Sequence, residues 1–514
     1  MIGLGIGLLW VLGSGCDTEP PPSAQVPPLS AQPAVERYQA EESRLLEPML
    51  LEVLQFATYA GNEQAHAAQK QWLAGAAAEL GFAARDAGPM FEIELPGPPG
   101  AEVLGLVVHG DVVEVAPEGW SFPAFEPRVE GGIIRGRGAA DDKGPLVQAL
   151  LAMKALEQSG LARKKTIRLL VGTDEESGST DVATYLRSNQ PPDLSLVLDS
   201  AFPVVVGEKA WNALTVSAAA GAPQLGSQPW RVTRLEAGLA TSIVPDIATA
   251  TLTWSAGTPD WTPLLLRLRA RPQPEGITFE FVPAAVTLTV TAHGRAAHAG
   301  VNLAGGRNAL VALAQALDGE LPTGTPSCLL GFAKMAGQDT SGTGLDITDE
   351  DPVWGRYDVN VATIKSTPAG ALALTINVRR IPPRTGPELE QHLRAVVSAF
   401  TERTGCALDV AGYFGDEPLV FDRDSPVIAR LLAAYERSTG EKAQPIVSGG
   451  GTYAKRLPDA IAFGMWFPGR PYPGHDVDES VAVVDLHRGA RVLLEALVDL
   501  ACSDAPLPAL WRKT

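Results

Sequence analysis

Residues 136–144 read GRGAADDKG, a glycine-rich turn around which the rest of the chain can be arranged. The turn carries two adjacent carboxylates, Asp141 and Asp142, and it is followed by Pro145 and an apolar, helix-like run. A carboxylate held in such a turn can direct its two oxygens toward two different cations. Aspartate is also a common turn and N-cap residue, so the pair by itself is weak evidence for a metal site. The segments on either side must supply further ligands before such a site is predicted.

Short apolar runs alternate with helical patterns on both sides of this turn. Residues 102–109, 166–172 and 194–198 are predicted strands, and residues 146–159 and 179–188 are predicted helices. This alternation is typical of parallel strands joined by crossover helices. We therefore predict an α/β fold whose catalytic domain has a mixed, mainly parallel sheet flanked by helices.

The middle of the chain follows a different pattern, which predicts an inserted α+β lid domain at residues 211–385. Runs at 247–254, 286–292 and 371–379 alternate apolar and polar residues, as half-buried antiparallel strands do, and a helix is predicted at 306–317. The catalytic domain is then discontinuous. Its predicted parts are residues 35–210, with two helices in 35–83, and residues 386–514, with helices at 387–403, 424–438 and 485–502 and a strand at 459–466.

The amino terminus predicts export. Residues 1–12 form an apolar run that is too short to span a bilayer, and three small residues separate it from Cys16. We expect residues 1–16 to be a signal peptide with Cys16 as the lipidated residue, and the Pro-rich residues 17–34 to form an extended tether. The apolar run lacks a preceding Lys or Arg, so an uncleaved tail or a misplaced start codon is the alternative.

Composition excludes several other classes of protein. The net charge is −18 and no basic stretch resembles a phosphate-binding patch, so we expect no nucleic-acid partner. The membrane would be contacted only through the lipid anchor. The four cysteines, at positions 16, 328, 406 and 502, are far apart and form no CxxC pair. We expect no disulfide framework, and inert core thiols at the three cysteines that lie in apolar runs.

Acidic residues and a histidine collect where the predicted strands end. His109 ends the first strand and Asp111 follows it, Glu175 and Glu176 follow the second strand, and Asp199 follows the third. In sheets of parallel strands, functional groups lie beyond the carboxyl ends of the strands. A dinuclear hydrolase needs a bridging carboxylate, further His and carboxylate ligands and an unligated base. Taken singly, each of these residues has a structural alternative, such as a turn residue or a solvated acidic loop.

As an ordered set, the motifs resemble the di-zinc peptidases that include aminoacylases, carnosinases and PepV-type dipeptidases. The resemblance covers about residues 36–502. It rests on the segments HGDVVEV, GWSFPAFEPRVEGGIIRGRGAADDKGP, GTDEESGS, VLDSAFPVVVGEKA, GRAAHAG, NVRRIP, GGGTYAK and FPGRPYPGHDVDE.

The resemblance implies a role for each matching residue. Two Zn²⁺ ions, with Mn²⁺ or Co²⁺ as substitutes, would be held by the metal ligands His109, Asp141, Glu176, Asp199 and His475. One ion would bind His109, Asp141 and Asp199, and the other would bind Asp141, Glu176 and His475, with Asp141 bridging. Glu175 would be the general base, Asp111 would support His109, and His298 of the lid would stabilise the oxyanion. The implied substrate contacts are Asn377, Arg379, Gly449, Gly450, Gly451 and Thr452. His293, His392 and His487 match nothing in the family and are expected to be structural, and His66, on a predicted helix, is expected to be an exposed helix residue.

The long lid favours one branch of this family. PepV-type lids are enlarged and take the place of a second subunit, so we expect a monomer that hydrolyses dipeptides. Ser242 departs from the family, which often has Asn there to assist substrate binding. Two alternatives stay open: an N-acyl-amino-acid hydrolase or deacetylase of the same family, and a non-catalytic, surface-tethered binding protein.

Overall fold

The computed structural model describes residues 29–115, 119–218, 226, 228–366 and 371–513. The predicted signal peptide, Cys16 and most of the predicted tether lie outside these residues. The end of the tether, residues 32–34, is helical rather than extended, because Pro33 occupies the first turn of a helix and Ala34 is buried. No helix among the described residues has both the length and the apolar character needed to cross a bilayer.

Secondary structure covers both predicted domains. The helices are α1 (Gln32–Ala40), α2 (Leu46–Val53), α3 (Glu63–Leu80), α4 (Lys143–Gln158), α5 (Thr180–Tyr185), α6 (Thr262–Ala270), α7 (Ala309–Ala316), α8 (Thr325–Ala336), α9 (Gly386–Thr404), α10 (Pro426–Thr439) and α11 (Val483–Ala501). The strands are β1 (Ala83–Asp86), β2 (Phe91–Leu95), β3 (Val103–His109), β4 (Arg128–Glu130), β5 (Ile133–Arg135), β6 (Thr166–Gly172), β7 (Leu194–Val197), β8 (Ser200–Ala201), β9 (Val205–Glu208), β10 (Ala210–Ala218), β11 (Trp230–Ala237), β12 (Ile247–Trp254), β13 (Thr278–Pro283), β14 (Thr287–His293), β15 (Glu350–Asp351), β16 (Gly355–Arg356), β17 (Asp358–Ser366), β18 (Leu372–Arg380), β19 (Leu408–Gly415), β20 (Leu419–Val420), β21 (Ile446–Ser448), β22 (Ala460–Ala462), β23 (Met465–Trp466) and β24 (Ser480–Ala482).

The catalytic domain is built on a six-stranded sheet in the order β1-β2-β6-β3-β7-β22. Strands β6, β3, β7 and β22 are parallel to one another, and β1 and β2 are antiparallel to their neighbours. Helix α4 packs against α1, α2 and α11 and is buried over most of its length, because apolar residues occupy nearly all of its faces. The predicted mixed, mainly parallel sheet with flanking helices is confirmed.

The second domain is an eight-stranded antiparallel sheet in the order β13-β14-β12-β11-β17-β18-β10-β19. In β12 and β14 nearly every second residue is buried, as the alternating sequence predicted. Helices α7, α8 and α9 pack against this sheet around a separate apolar core. An α+β lid is therefore confirmed.

The chain leaves the lid later than predicted. We predicted the return to the catalytic domain at residue 386, but Leu389 and Leu393 of α9 are buried in the lid core. Strand β19 pairs with β10 at the edge of the lid sheet. Amphipathic helices of both domains have the same sequence pattern, so periodicity alone did not assign α9 to its sheet.

Three further predictions need correction. Residues 35–83 hold three helices rather than two. The predicted strand 459–466 is two short strands in different sheets, because β22 pairs with β7 and β23 pairs with β8. Cys328 and Cys406 form a disulfide instead of being inert thiols. They meet because α8 and α9 pack together, as the contact between the rings of Phe332 and Phe400 shows. Cys502 is a buried free thiol, as expected.

Candidate metal centre and active site

Neighbouring strands of the catalytic sheet bring the predicted ligands together. His109 is the last residue of β3, which lies between β6 and β7 in the sheet. The acidic loop with Glu175 and Glu176 follows β6, and Asp199 follows β7. Because these three strands are parallel, their carboxyl ends meet at one edge, where the turn with Asp141 also lies.

Asp141 joins two groups of potential ligands. Its Oδ1 lies 2.9 Å from Nε2 of His109, which is 3.9 Å from Oδ2 of Asp199. Its Oδ2 lies 3.4 Å from Nε2 of His475, which is 2.9 Å from Oε1 of Glu176. In each group the potential ligand atoms all lie within 4.8 Å of one another. The two groups have the same members as the two sets of ligands that the resemblance implied.

The charges at this edge do not balance within the protein. Burial and repulsion between carboxylates raise the pKa of Asp199 well above its usual value. Burial opposes protonation of His109, but its contacts with Asp111 and Asp141 outweigh that effect and raise its pKa. Burial acts in the same way on His475, where Glu176 and Asp141 raise the pKa to about 10. Clusters of three buried or half-buried imidazole and carboxylate groups with excess negative charge suit divalent cations such as Zn²⁺.

Glu175 stands apart from the ligand groups although it lines the same cleft. Within the described part of the chain, its carboxylate has no hydrogen-bond or ion-pair partner. Burial, together with repulsion from Glu176, Asp111 and Asp141, raises its pKa well above its usual value. A carboxyl group with a raised pKa beside a cation site can both accept and return a proton.

Asp111 supports two parts of the site. Nδ1 of His109 lies 3.0 Å from the Asp111 carbonyl oxygen and 3.5 Å from its carboxylate. The carboxylate also accepts hydrogen bonds from the backbone N–H groups of Glu175 and Glu176, at 3.2 and 3.0 Å. Asp111 therefore fixes the acidic loop as well as the imidazole of His109.

Glu479 is a supporting residue that the sequence analysis missed. Its wholly buried carboxylate accepts hydrogen bonds from Arg137 at 2.7 Å and from the backbone N–H groups of Gly138, Ala140 and Asp141. These bonds hold the GRGAADDKG turn in the conformation that presents Asp141. The only sequence signal was its position four residues after His475, in HDVDE.

The loop that carries His475 adds a second residue that was missed. Tyr472 donates a hydrogen bond of 2.6 Å from its hydroxyl to Oδ2 of Asp141. His475 itself has a φ of 66°, an unfavourable conformation for a residue with a Cβ. Such backbone conformations persist where the surrounding contacts enforce them, often at functional sites.

The lid contributes His298 to the cleft. Its ring lies 4.6 Å, centroid to centroid, from that of His475. The backbone N–H groups of Gly300 and Val301 donate to its Nδ1 at 3.1 and 2.9 Å, so the neutral ring carries its proton on Nε2. Burial and the nearby positive charges of His475 and Arg379 hold the pKa of His298 well below its usual value. His298 is therefore a neutral donor that faces the candidate metal centre.

Arg379 and Asn377 lie on the same strand of the lid, but only Arg379 lines the cleft. Arg379 is buried and lines the cleft, and its Nε donates to Oδ1 of Asn377 at 3.0 Å. Burial lowers its pKa to about 10, and it forms no ion pair with the described residues. Asn377 is fully buried, donates to the Asn212 carbonyl and lines neither of the cavities at the site. It therefore orients Arg379 and is enclosed within the protein, in contrast to the predicted substrate contact.

Residues 449–452, the GGGT segment, line the cleft, but most of them also make contacts within the protein. Gly449 packs so closely against the Gly300 carbonyl of the lid that an added Cβ would lie 1.9 Å from that oxygen. The hydroxyl and N–H of Thr452 both donate to buried Glu208, and the N–H of Gly450 donates to Ser448. Those two amides are therefore already used, contrary to the prediction that the whole segment binds a carboxylate. Gly451 lines the cleft and its amide has no acceptor within the described residues.

Two cavities share His298 and His475 in their linings. The larger, of about 540 Å³, is lined by Arg379, Gly451 and Ser242. The smaller, of about 190 Å³, is lined by Asp199, Val301, Trp466 and Tyr472. Glu175 also lines both cavities. A substrate with one residue in each cavity would therefore have the bond between those residues beside the candidate metal centre.

The comparisons with known proteins agree with this geometry. A sequence profile described as "Peptidase family M20/M25/M40" matches residues 105–499. The chain belongs to this family. It is therefore a hydrolase of the metallopeptidase class.

Individual members of the M20/M25/M40 family resemble the chain over most of its length. YtjP of Bacillus subtilis (strain 168) is 30% identical over 406 residues, which are 78% of this chain and 84% of that protein. The Beta-Ala-Xaa dipeptidase of Lactobacillus delbrueckii subsp. lactis is 28% identical over 403 residues, 78% of this chain and 82% of that protein. Human carnosine dipeptidase 1 has the same fold, with a TM-score of 0.57 and 14% identity over 92% of this chain and 99% of its own.

Proposed function

We propose that this chain is a dipeptidase that depends on two divalent cations, with Zn²⁺ as the first choice. The observation that carries the proposal is the position of Asp141, whose two oxygens face two separate His–carboxylate groups beside the unpaired Glu175. The names of related dipeptidases support the choice of substrate. A non-catalytic binding protein is not favoured, because the complete set of ligands and the candidate base lie in one cleft.

The residues present fit the two cations. His109, Asp141 and Asp199 would hold one, and Asp141, Glu176 and His475 would hold the other. Bound there, the cations would supply an acidified water and would polarise the scissile carbonyl. The raised pKa of Asp199 supports this assignment, since uncompensated buried carboxylates require a nearby positive charge.

Glu175 and His298 would handle the proton and the developing negative charge. Glu175, which has no partner among the described residues, would take the proton of the attacking water and return it to the leaving amine. Nε2–H of His298 would donate to the oxyanion, because its Nδ1 is already occupied by two backbone N–H groups. A neutral imidazole suits this role, since it carries the needed proton without adding charge to the site.

Arg379 would anchor the substrate's carboxylate together with the amide of Gly451. Both groups line the larger cavity and neither has an acidic partner among the described residues. The carboxyl-terminal residue would then occupy the larger cavity and the amino-terminal residue the smaller one. A cavity of about 190 Å³ suits a single residue or an acyl group of that size, which favours short substrates.

The test combines metal analysis with a substrate panel on the full chain. We expect stoichiometric metal by elemental analysis and faster hydrolysis of dipeptides than of N-acyl amino acids. Faster hydrolysis of the N-acyl amino acids would favour the acylase alternative.

Glu175→Gln should keep its metal and lose at least about a hundredfold in kcat, the usual effect of removing a general base. The matched variant Glu63→Gln, on the exposed start of α3, should keep full activity. Wild-type kcat in Glu175→Gln would contradict the role of Glu175.

We also propose that the chain is exported, anchored through Cys16 and monomeric. The disulfide between Cys328 and Cys406 supports export, because structural disulfides form in oxidising compartments. The position of His298 in its own chain's cleft supports a monomer, since a second subunit is not needed to supply this group. In a bacterial host, Cys16→Ser should move the protein from the membrane fraction to the soluble fraction. Unchanged fractionation would contradict the anchor.

A further inference from the structure

We propose that Trp211 and Phe414 form a subsite that selects a large apolar or aromatic side chain on the carboxyl-terminal residue of the substrate. This inference rests on the proposed function, in which Arg379 binds the carboxylate of that residue. Both aromatic side chains line the larger cavity with Arg379. Neither aromatic residue was singled out by sequence motifs.

The register of the lid sheet puts the three side chains on one face. Trp211 of β10 lies directly opposite Arg379 of β18. Two residues further along β10, Ala213 lies opposite Phe414 of β19. Residues i and i+2 of a strand share a face, and directly opposed residues have Cβ atoms roughly 5 Å apart. A residue whose carboxylate is bound by Arg379 therefore has the aromatic pair within reach of its side chain.

The aromatic pair is open to the cavity. The ring centroids of Trp211 and Phe414 are 5.4 Å apart with an interplanar angle of 52°. Phe414 is 54% exposed although it lines the cleft, and few large apolar side chains in the described part of the chain are as exposed. An exposed aromatic surface beside convergent polar groups is the usual composition of a ligand site. An apolar side chain placed there would remove this surface from water.

The subsite is held rigidly at the end of its strand. The backbone N–H of Trp211 donates to Oδ1 of Asp416 at 2.7 Å, and the N–H of Asp416 donates to the Trp211 carbonyl. The same carboxylate pairs with Lys455 at 3.0 Å and with Arg456 at 3.5 Å. Lys455 and Arg456 already share the Asp416 carboxylate, and Arg379 is assigned to the substrate's carboxylate, so an acidic substrate side chain gains little there. The chemistry therefore favours apolar and aromatic side chains over acidic ones.

The experiment compares kcat/KM for Ala-Phe, Ala-Glu and Ala-Gly in the full, metal-loaded chain. Wild type should prefer Ala-Phe over both other substrates. Phe414→Ala should lower the ratio of kcat/KM for Ala-Phe to that for Ala-Gly by about tenfold, mainly through KM, since a lost aromatic contact is worth about 1.4 kcal/mol. Phe414→Leu should retain most of the ratio. Trp511→Ala, which removes a similarly exposed aromatic side chain outside the cleft, should leave the ratio unchanged.

The outcomes separate this inference from the proposed function. If wild type and Phe414→Ala both cleave Ala-Phe and Ala-Gly with the same ratio of kcat/KM, the subsite is overturned and the dipeptidase proposal stays intact. A wild-type preference for Ala-Glu would also overturn it. If N-acetyl-Phe and N-acetyl-Gly are the substrates instead, the same ratio tests the subsite while the dipeptidase assignment falls. Turnover of none of these compounds would remove both proposals.

Discussion

The two walls of the cleft differ in charge and in construction. The catalytic wall presents the carboxylates of Glu175 and Asp199 from loops at the ends of parallel strands and that of Asp141 from the turn before α4. The lid wall presents a neutral imidazole, His298, and a buried guanidinium, Arg379, which is anchored on a central strand of an antiparallel sheet. The wall proposed to hold cations is thus separate from the wall proposed to bind the substrate's carboxylate. Metal and proton chemistry should depend on the first wall and substrate affinity on the second.

The largest expected effect comes from the residue shared by both ligand groups. Asp141→Asn removes a charge that faces His109 on one side and His475 on the other. We expect loss of bound metal and at least about a thousandfold loss in kcat/KM, because the cation chemistry fails as a unit. Elemental analysis and initial rates would measure both effects. Asp260→Asn, on the lid, provides the matched control, and full metal content in Asp141→Asn would contradict the shared role.

Substitutions in the lid wall should change KM and leave the metal content unchanged. Arg379→Ala leaves the catalytic wall intact but removes the unpaired guanidinium from the larger cavity. We expect KM to rise by about 10- to 100-fold, because a hydrogen bond to a charged group usually contributes a binding free energy of that size. The metal content should be unchanged. Arg379→Lys should restore little, because lysine lacks the planar pair of donors. Loss of metal in Arg379→Ala would mean that the two walls are not independent.

Removal of metal should expose the charge imbalance of the catalytic wall as a dependence of stability on pH. Burial and neighbouring carboxylates raise the pKa of Asp199 and Glu175, so their contribution to stability falls as the pH rises from about 4 through the folded pKa. The raised pKa of His475, about 10, acts in the same direction. Its contribution is complete below about pH 6.5 and is lost as the pH rises toward 10. Asp141, whose pKa is lowered, loses its contribution only below about pH 4.

We therefore expect the Tm of the chelated protein to fall between about pH 5 and pH 9. Calorimetry of the chelated and the metal-loaded protein across this range would measure the difference. The metal-loaded protein should show a flatter profile, since bound cations compensate the carboxylates. Parallel profiles for the two forms would indicate that the catalytic wall carries no excess negative charge.

The catalytic wall was more predictable from sequence than the lid wall. His109, Glu176 and Asp199 follow strands, so strand prediction alone placed them at one edge, and the resemblance added Asp141 and His475. The role of Glu479 was hidden, because a buried carboxylate that accepts backbone hydrogen bonds looks like any acidic loop residue. On the lid, Asn377 and Arg379 share a face of one strand, yet only the folded sheet reveals that Asn377 is enclosed. The pairing of Trp211 with Arg379 depends on strand register, which local sequence does not specify.

The smallest expected effect on activity concerns the disulfide, which belongs to the lid and lies away from the cleft. Cys328 and Cys406 are 78 residues apart. A cross-link that closes a loop of that length lowers the conformational entropy of the unfolded chain, which stabilises the folded state by about 4 kcal/mol. The double variant Cys328→Ser, Cys406→Ser should lower the free energy of unfolding by up to about that amount and leave kcat/KM within about twofold at 25 °C. Cys502→Ser, in the core of the catalytic domain, is the matched control for loss of a buried sulfur without loss of a cross-link. If the double variant instead loses most of its activity while still folded at 25 °C, the lid wall is not a preformed surface, and the contrast between the two walls would depend on the cross-link.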